Sequence, residues 1–346
     1  MNKIALAGLL PEELCASLSL SPSFRGNQLF QWIGKGVDSF DAMTNLSAEL
    51  RASLAEKALL RSTRVSAVLK ADDGTVKLQI ETEDALAVET VLLTDKAGRK
   101  TACVSCQAGC AMGCAFCAST LHGLVRNLTR GEIAAQAIGI ADFLRQEGAR
   151  VDTIVVMGSG EPLENYDNVV GALRLLHEDY VLGLGYRGMT LSTSGIVPGI
   201  ERLADEGIPI SLSISLHAPT DELRSRIMPV NRRYPLADVM RAARHYAVRT
   251  KRRITYEYIL IRDVNDGVRA AEQLAALLRG RLASVNLIPI NPVPERNLHR
   301  PSSNVIRRFQ RTLEERHITA TLRREMGTDI QAACGQLRNR LLEAGL

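Results

Sequence analysis

The 346-residue sequence contains no uninterrupted apolar run that approaches the roughly 18 residues of a membrane-spanning helix. It has no low-complexity segment and no internal repeat. It also lacks a cleavable signal pattern, because Pro11, Glu12 and Glu13 interrupt the first apolar stretch. These absences predict a cytoplasmic protein with no membrane partner.

Cysteine is present, but not in the pattern of a disulfide framework. The chain has seven cysteines, an odd number, and five of them lie between Cys103 and Cys117. Such crowding is typical of metal or redox chemistry in a reducing compartment. The net charge of +5 permits an anionic partner such as RNA without requiring one.

Three of these cysteines, Cys110, Cys114 and Cys117, have the spacing Cys-x-x-x-Cys-x-x-Cys. Three thiolates without a fourth nearby suit a cluster that leaves one metal position open, whereas a structural zinc site requires four ligands. The spacing resembles that of the radical S-adenosylmethionine (SAM) enzymes. A zinc knuckle in a non-enzymatic RNA-binding protein, or free cysteines that pack as small apolar residues, are the alternatives.

The pattern of apolar residues divides the chain into three regions. Residues 1–60 predict short helices, with apolar positions three and four apart. Residues 61–98 predict an antiparallel β extension with strands at 65–69, 76–80 and 86–93, the first two joined across Asp73-Gly74. Residues 99–346 alternate strand-like and helical runs, which indicates α/β structure and a full or partial (β/α) barrel.

Polar or glycine-rich loops follow several of these strands, and in a parallel barrel such loops meet at one end. They contain Gly160-Glu161, Ser192, Ser215-Leu216-His217 and Asn291. Gly160 would allow close approach of a ligand, and Glu161 can accept hydrogen bonds from an amine or a ribose. Taken singly, each loop could instead be a turn or a helix cap, and His217 could be structural.

Longer segments make the resemblance specific. In this order, the chain contains CVSCQAGCAMGCAFCAST, RNLTRGEI, VVMGSGEPLENYDNV, LSTSGIVP, SLHAPTDELRSRIMPVNRRYP, NLIPINP and GTDIQAACGQL. Together they resemble the RlmN/Cfr family of radical SAM RNA methyltransferases, over nearly the whole chain. The resemblance implies a partial (β/α) barrel of the radical SAM type with an N-terminal helical module, a small antiparallel extension and a C-terminal loop that carries a methyl-bearing cysteine.

The resemblance also implies the chemistry. Cys110, Cys114 and Cys117 would hold a [4Fe-4S] cluster, and two SAM molecules would be used per turnover. Cys334 would accept a methyl group as S-methylcysteine and then join the RNA through a thioether. Cys103 would release the RNA by forming a transient disulfide with Cys334, and Glu89 would accept the ring proton.

SAM contacts carried over from the family fall on Gly160, Glu161, Ser192, Ser215, Leu216, His217 and Asn291. Ser159, Cys106 and Gln331 depart from the residues that are usual at their positions. The loops around His217 look more like the RlmN branch, which methylates carbon 2 of adenosine in 23S rRNA and often in tRNA. The Cfr branch, which methylates carbon 8, is the alternative.

The same resemblance suggests the partners. An electron donor such as flavodoxin would supply electrons to the cluster. The protein is expected to be a monomer. The N-terminal module, with Arg25, Lys35 and Arg51, would contact RNA phosphates independently of sequence. Ordinary solvated surface charges are the alternative for each of these cations.

Overall fold

The computed structural model describes residues 3–337 of the chain. The N-terminal part contains a short strand, three helices and a second short strand: β1 (Ile4–Ala5), α1 (Pro11–Leu18), α2 (Phe24–Gly34), α3 (Ala48–Lys57) and β2 (Ala58–Leu59). β1 and β2 pair in parallel. Glu13 closes the first turn of α1, because its carboxylate accepts from the Leu10 amide at 2.8 Å. The helices predicted for this region are present.

Four antiparallel strands follow: β3 (Thr63–Lys70), β4 (Val76–Thr82), β5 (Ala87–Thr94) and β6 (Lys100–Val104). The β3–β4 hairpin turns where Asp73-Gly74 predicted, with the Ala71 amide donating to the Thr75 carbonyl at 2.8 Å. Alternation puts Val76, Leu78 and Ile80 of β4 in the main hydrophobic core. The predicted extension therefore continues directly into the barrel sheet.

Strands and helices then alternate along the chain. The strands are β7 (Gln107–Gly109), β8 (Leu124–Asn127), β9 (Thr153–Val156), β10 (Met189–Thr193), β11 (Ser211–Ser215), β12 (Ile254–Leu260), β13 (Ala283–Pro289) and β14 (Ala320–Leu322). The helices are α4 (Arg130–Arg145), α5 (Tyr166–His177), α6 (Val197–Asp205), α7 (Asp221–Ile227), α8 (Leu236–Thr250), α9 (Val268–Leu278) and α10 (Ser303–Glu314). The capping box of α4 forms at Thr129 and Glu132.

Ten strands form one sheet in the order β14-β13-β12-β11-β10-β9-β6-β5-β4-β3. From β6 to β14 every neighbouring pair is parallel, and β3 to β6 add antiparallel strands at one edge. Within the described chain, β3 and β14 are the two ends of this order. The sheet is therefore the partial (β/α) barrel with an antiparallel extension that was predicted.

The segment after β14 connects the two ends of the sheet. The Gly327 amide donates to Asp73 Oδ2 at 2.9 Å, and the Asp72 amide donates to Asp329 Oδ2 at 3.2 Å. The carboxylates of Asp73 and Asp329 thus join the segment after β14 to the β3–β4 turn. The segment that contains Cys334 is thus held against the start of the sheet.

The division at residues 60/61 and 98/99 stays a prediction, and residues 1–2 and 338–346 of the outer two regions lie outside the described part. Among the described residues, no helix is long and apolar enough to cross a membrane.

Candidate active site

One cavity opens at the carboxyl ends of the parallel strands, where the sequence predicted that functional loops meet. Nine of the predicted site residues line it: Cys103, Cys114, Cys117, Gly160, Ser192, Ser215, His217, Asn291 and Cys334. Four others, Glu89, Cys110, Glu161 and Leu216, do not line it. Loops from β6 to β13 and the segment after β14 thus contribute to a single site.

The three-cysteine loop lies in an excursion from the sheet. β7 lies between β6 and this loop, and it pairs with β8 just beyond the loop. The Cys110 amide donates to the Gly123 carbonyl at 3.0 Å, and Thr120 Oγ1 donates to the Cys117 carbonyl at 2.9 Å. These bonds fix the loop at both ends and do not involve the cysteine side chains.

Burial raises the pKa of all three thiols, and that of Cys110 reaches about 12. Repulsion between the thiolates adds to the shift for each of Cys110 and Cys114. Three thiolates this close together require a cation to hold them deprotonated, which fits a metal cluster. Within residues 3–337, no three His, Cys, Asp or Glu side chains are grouped to hold a single ion. A cluster does not need such convergence, because each cysteine binds a different iron.

The loop after β9 approaches the strands around it very closely. At Gly160, with φ +108°, a Cβ would lie 2.6 Å from Gln107 Cβ and 2.8 Å from Cys106 Sγ. Only glycine fits there without a shift of the neighbouring side chains. The close approach leaves the Gly160 backbone on the cavity wall.

The Glu161 carboxylate is buried and satisfied by the protein. It accepts from Thr193 Oγ1 at 2.7 Å, from the Ser194 amide at 2.7 Å and from the Leu163 amide at 3.0 Å. Burial raises its pKa, and the bonds from Ser194 and Thr193 oppose that shift. These contacts tie the loop after β9 to the end of β10. A direct contact of Glu161 with SAM stays a prediction.

His217 follows β11 in a left-handed conformation, with φ 58°. Its Nδ1 accepts from the Ile259 amide at 2.9 Å, so the ring proton is on Nε2. Burial lowers the pKa of His217 to about 3, which keeps the ring neutral. His217 therefore faces the cavity as a neutral donor, while the Leu216 side chain packs in the main core.

Among the described residues, one buried polar atom on the cavity wall, Asn291 Oδ1, has no hydrogen-bond partner. Buried polar atoms normally have a partner, so this atom indicates a polar ligand in the cavity. The side-chain nitrogen of Asn291 already has a partner, because Nδ2 donates to the Cys334 carbonyl at 3.0 Å. The donors and acceptors of this wall fit a molecule such as SAM beside the three-cysteine loop.

Cys103 and Cys334, far apart in sequence, line the same cavity. Cys103 lies on β6 opposite Val91 and packs with Val91, Ala332 and Leu337. Burial raises its pKa to about 12, and the nearby Cys334 adds to the shift. The Cys334 turn is held by the Ala118 amide, which donates to the Gly335 carbonyl at 2.8 Å. The turn also positions Cys334 next to the three-cysteine loop.

Glu89 lies on β5, on the same strand face as the cavity residues Val91 and Leu93. It is 5% exposed and forms an ion pair of 2.8 Å with Lys77, which is 1% exposed. Lys77 Nζ also donates to the Gln331 carbonyl at 3.3 Å. The ion pair is thus linked to the segment that carries Cys334.

Several residues of the site were missed from the sequence. Arg323, just after β14, lines the cavity, and its pKa is raised chiefly by its interaction with Cys334. Glu257 also lines it, and its Oε2 accepts from Asn286 Nδ2 at 2.7 Å. The isolated charge in the otherwise apolar run ITYEYIL was a signal for Glu257.

Two of the three cations predicted to bind RNA, Arg51 and Lys35, have contacts within the protein. Arg51 Nη1 donates to the Asp41 carbonyl at 2.8 Å. Lys35 Nζ lies over the Trp32 ring, 4.4 Å from its centroid. The role of this module in RNA binding stays a prediction.

Comparison with known proteins defines the class first. The family model described as Radical SAM superfamily matches residues 104–275, which include the three-cysteine loop and β9 to β12. Another, described as Ribosomal RNA large subunit methyltransferase N-terminal domain, matches residues 12–60. A crystal structure of a radical SAM methyltransferase from Sphaerobacter thermophilus has 46% identity and a TM-score of 0.92, over 97% of this chain and 99% of that one. The fold is that of a radical SAM enzyme.

Full-length relatives define the family. A probable dual-specificity RNA methyltransferase RlmN from Symbiobacterium thermophilum is 54% identical, covering 98% of this chain and 92% of its own. One of the same name from Alkaliphilus oremlandii is 48% identical, covering 99% and 100%. The chain belongs to the RlmN family of radical SAM RNA methyltransferases. Membership implies a [4Fe-4S] cluster and SAM, as the cysteine spacing predicted, and removes the zinc-stabilised, non-enzymatic alternative.

Proposed function

We propose that this protein methylates carbon 2 of an adenosine in 23S rRNA and of an adenosine in tRNA, using two SAM molecules per turnover. The observation that supports this most is the cavity itself, in which Cys103 and Cys334 lie together with Cys114 and Cys117. A radical SAM enzyme without a methyl-carrying cysteine has no need for that second pair of thiols.

In this proposal Cys110, Cys114 and Cys117 bind the cluster. The SAM site is formed by residues that line the cavity, Gly160, Ser192, Ser215, His217 and Asn291, together with Glu161 and Leu216, whose side chains are buried behind it. Asn291 Oδ1 is available there to a ligand donor. When bound, the cluster and SAM supply a 5′-deoxyadenosyl radical. The neutral ring of His217 adds an Nε2 donor to the same wall without adding charge.

Cys334 acts first, as a thiolate that takes a methyl group from SAM by displacement. That methyl group would then lose a hydrogen atom to the 5′-deoxyadenosyl radical, and its carbon, still on Cys334 Sγ, bonds to the adenine ring and joins enzyme to RNA. Glu89 accepts the proton that leaves the ring, and the unpaired electron left on the adduct would pass back to the cluster. The sulfur of Cys103 then attacks Cys334 Sγ with loss of its own proton, which forms a disulfide and breaks the bond between Cys334 Sγ and the transferred carbon. That carbon takes up a proton, and the methylated RNA is released.

The reaction needs electrons from outside the protein, and we propose a low-potential carrier such as flavodoxin. We further propose that the enzyme acts in the cytoplasm as a monomer. The N-terminal helices would hold the RNA by its phosphates while the target adenosine enters the cavity.

The decisive experiment is chromatography and mass spectrometry of adenosines from 23S rRNA and tRNA treated with the anaerobically reconstituted enzyme, SAM and reductant. We expect 2-methyladenosine in both RNAs. Dominant 8-methyladenosine would show the Cfr-like reaction instead. Methylation of the rRNA without methylation of the tRNA would show that tRNA is not a substrate.

Iron analysis tests the cluster separately. We expect about four irons per chain in protein purified without oxygen, and loss of that iron when Cys110, Cys114 or Cys117 is changed to Ala. Cys15→Ala, in α1 of the N-terminal module, is the control and should keep its iron. Zinc in place of iron in the wild type would contradict the assignment.

A further inference from the structure

Arg224, on α7, is a fully buried arginine beside the active site, with 0% of its surface exposed. Its guanidinium donates to neutral oxygens: Leu216 O at 3.1 Å, Asn231 Oδ1 at 2.9 Å, Tyr234 O at 3.4 Å, Ser194 O at 2.5 Å and Ser215 O at 3.2 Å. Ser194 and Ser215 line the cavity. The positive charge is therefore placed directly behind the proposed SAM site.

In the described part of the chain, no carboxylate accepts a hydrogen bond from Arg224 or forms an ion pair with it. Asp221 interacts with Arg224 electrostatically. However, Asp221 is exposed, and its Oδ1 accepts from Asn231 Nδ2 at 2.9 Å and from the Leu236 amide at 2.8 Å. Burial lowers the pKa of Arg224 to about 10, so the group stays charged at neutral pH. A buried charge of this kind is costly unless a negative charge lies nearby.

That negative charge is available in the three-cysteine loop. The Ala115 amide donates to the Ile227 carbonyl at 2.9 Å, which joins the loop to the end of α7. Met228 packs in one apolar cluster with Cys114 and Phe116. Arg224 and Cys114 also interact electrostatically, and the guanidinium favours the Cys114 thiolate.

We propose that the buried guanidinium of Arg224 raises the reduction potential of the cluster at Cys110, Cys114 and Cys117. Three thiolates make such a cluster negative overall, and reduction adds one more negative charge. A fixed positive charge in a low-dielectric interior stabilises the reduced form more than the oxidised form. One electron enters from a low-potential donor, and no bond is made or broken in that step.

The inference rests on the proposed assignment of the cluster cysteines, and its test does not involve RNA. The midpoint potential is measured by anaerobic redox titration followed by electron paramagnetic resonance, on reconstituted protein matched for iron content. We expect Arg224→Gln to lower the equilibrium constant for reduction by about tenfold, which is about 59 mV for one electron. Arg224→Lys keeps the charge and should stay near the wild-type potential. Arg226→Gln, an exposed arginine of the same helix, is the control and should not change it.

A second variant avoids removing the buried side chain. The exchange Asn231→Asp with Asp221→Asn keeps the net charge and moves the carboxylate next to Arg224, with loss of the bond from Asn231 Nδ2 to the Asp221 carbonyl. We expect a lower potential again. Wild-type potentials in this double variant, or equal shifts in Arg224→Lys and Arg224→Gln, would overturn the proposal. Loss of iron from the wild type itself would instead refute the cluster assignment.

Discussion

Cys103 and Cys334 have different surroundings, and at the residue scale this difference predicts different roles. Cys103 is buried on β6, whereas Cys334 is partly exposed on a turn that reaches the three-cysteine loop. In the proposed function the partly exposed thiol reacts with SAM and the incoming base, because it is the more accessible of the two. The buried thiol, which lines the same cavity, reacts with Cys334 afterwards.

The first prediction follows from this difference. Cys103→Ala should leave RNA covalently attached to Cys334, because the adduct forms and its resolving thiol is missing. Cys334→Ala should form no adduct and no methyladenosine, with SAM cleavage retained. Denaturing gels and mass spectrometry of the Cys334 peptide measure both. Cys15→Ala is the matched control and should behave as the wild type, whereas identical behaviour of the two active-site variants would contradict separate roles.

The second prediction concerns His217. Its folded-state pKa is about 3, below the ordinary value of 6.5. Between these values the unfolded chain binds a proton that the folded chain does not, so stability falls as pH decreases below 6.5. The loss should be about 1.4 kcal/mol at one pH unit below 6.5.

Urea unfolding of the iron-free protein at pH 7.5 and 5.5 measures this effect. His217→Gln should lose less stability over that interval than the wild type. His122→Gln, at an exposed histidine, is the control and should match the wild type. Equal losses in all three proteins would show that His217 accepts a proton in the folded state.

At the scale of elements, the C-terminal segment is held by several weak contacts rather than by regular structure. Lys77 donates to the Gln331 carbonyl, Asn291 to the Cys334 carbonyl, and Gln336 Nε2 to the Pro292 carbonyl at 2.8 Å. Ser119 Oγ donates to the Leu337 carbonyl at 2.8 Å. The position of Cys334 therefore depends on contacts from both ends of the sheet.

The third prediction tests that dependence through Gly327. Its φ is +66°, and a Cβ there would lie 2.8 Å from Thr75 Cγ2 and 2.9 Å from Ala332 Cβ. Gly327→Ala should displace the segment and reduce RNA methylation on the order of 100-fold, while iron content is unchanged. S-methylation of Cys334, measured by peptide mass spectrometry, should fall with it.

Gly280→Ala is the control for backbone strain. Gly280 has φ +70° and nothing within 4 Å of its Cβ position. Both variants carry the cost of alanine in a left-handed conformation, about 1 kcal/mol. Only Gly327→Ala should lose methylation, and equal losses would attribute the effect to strain alone.

At the scale of the molecule, the N-terminal helices are part of the main hydrophobic core. Leu6, Leu14 and Leu29 belong to the same buried cluster as the barrel strands. Glu13 also accepts from Arg130 Nη1 and Nη2 at 2.7 and 2.8 Å, which joins α1 to α4. The module and the barrel should therefore unfold together.

The fourth prediction uses Trp32, the one tryptophan in the chain, which lies on α2. Thermal unfolding of the iron-free protein should give the same midpoint by tryptophan fluorescence and by far-ultraviolet circular dichroism. Trp32→Phe should remove the fluorescence change and keep the dichroism transition. A fluorescence transition well below the dichroism transition would show an independently unfolding module.

Local patterns in the sequence determined much of the secondary structure of this protein and indicated its class. The alternation of apolar residues predicted β3 to β6 and the parallel strands, because strand side chains repeat every two residues. The Asp73-Gly74 hairpin and the α4 capping box are also local, since their hydrogen bonds join residues only a few positions apart. The spacing of Cys110, Cys114 and Cys117 resembles that of the radical SAM enzymes, and the longer segments around it made the predicted class specific.

Only the tertiary structure decided which distant groups meet. The burial of Arg224 behind Ser194 and Ser215, and the position of Arg323 beside Cys334, depend on packing between elements that are far apart along the chain. The link from the Lys77–Glu89 pair to the Gln331 carbonyl likewise depends on where the C-terminal segment lies. Charge and burial at these positions are set by neighbours that no local pattern specifies. For that reason the class of enzyme was predictable from the sequence, whereas the electrostatic environment of the site was not.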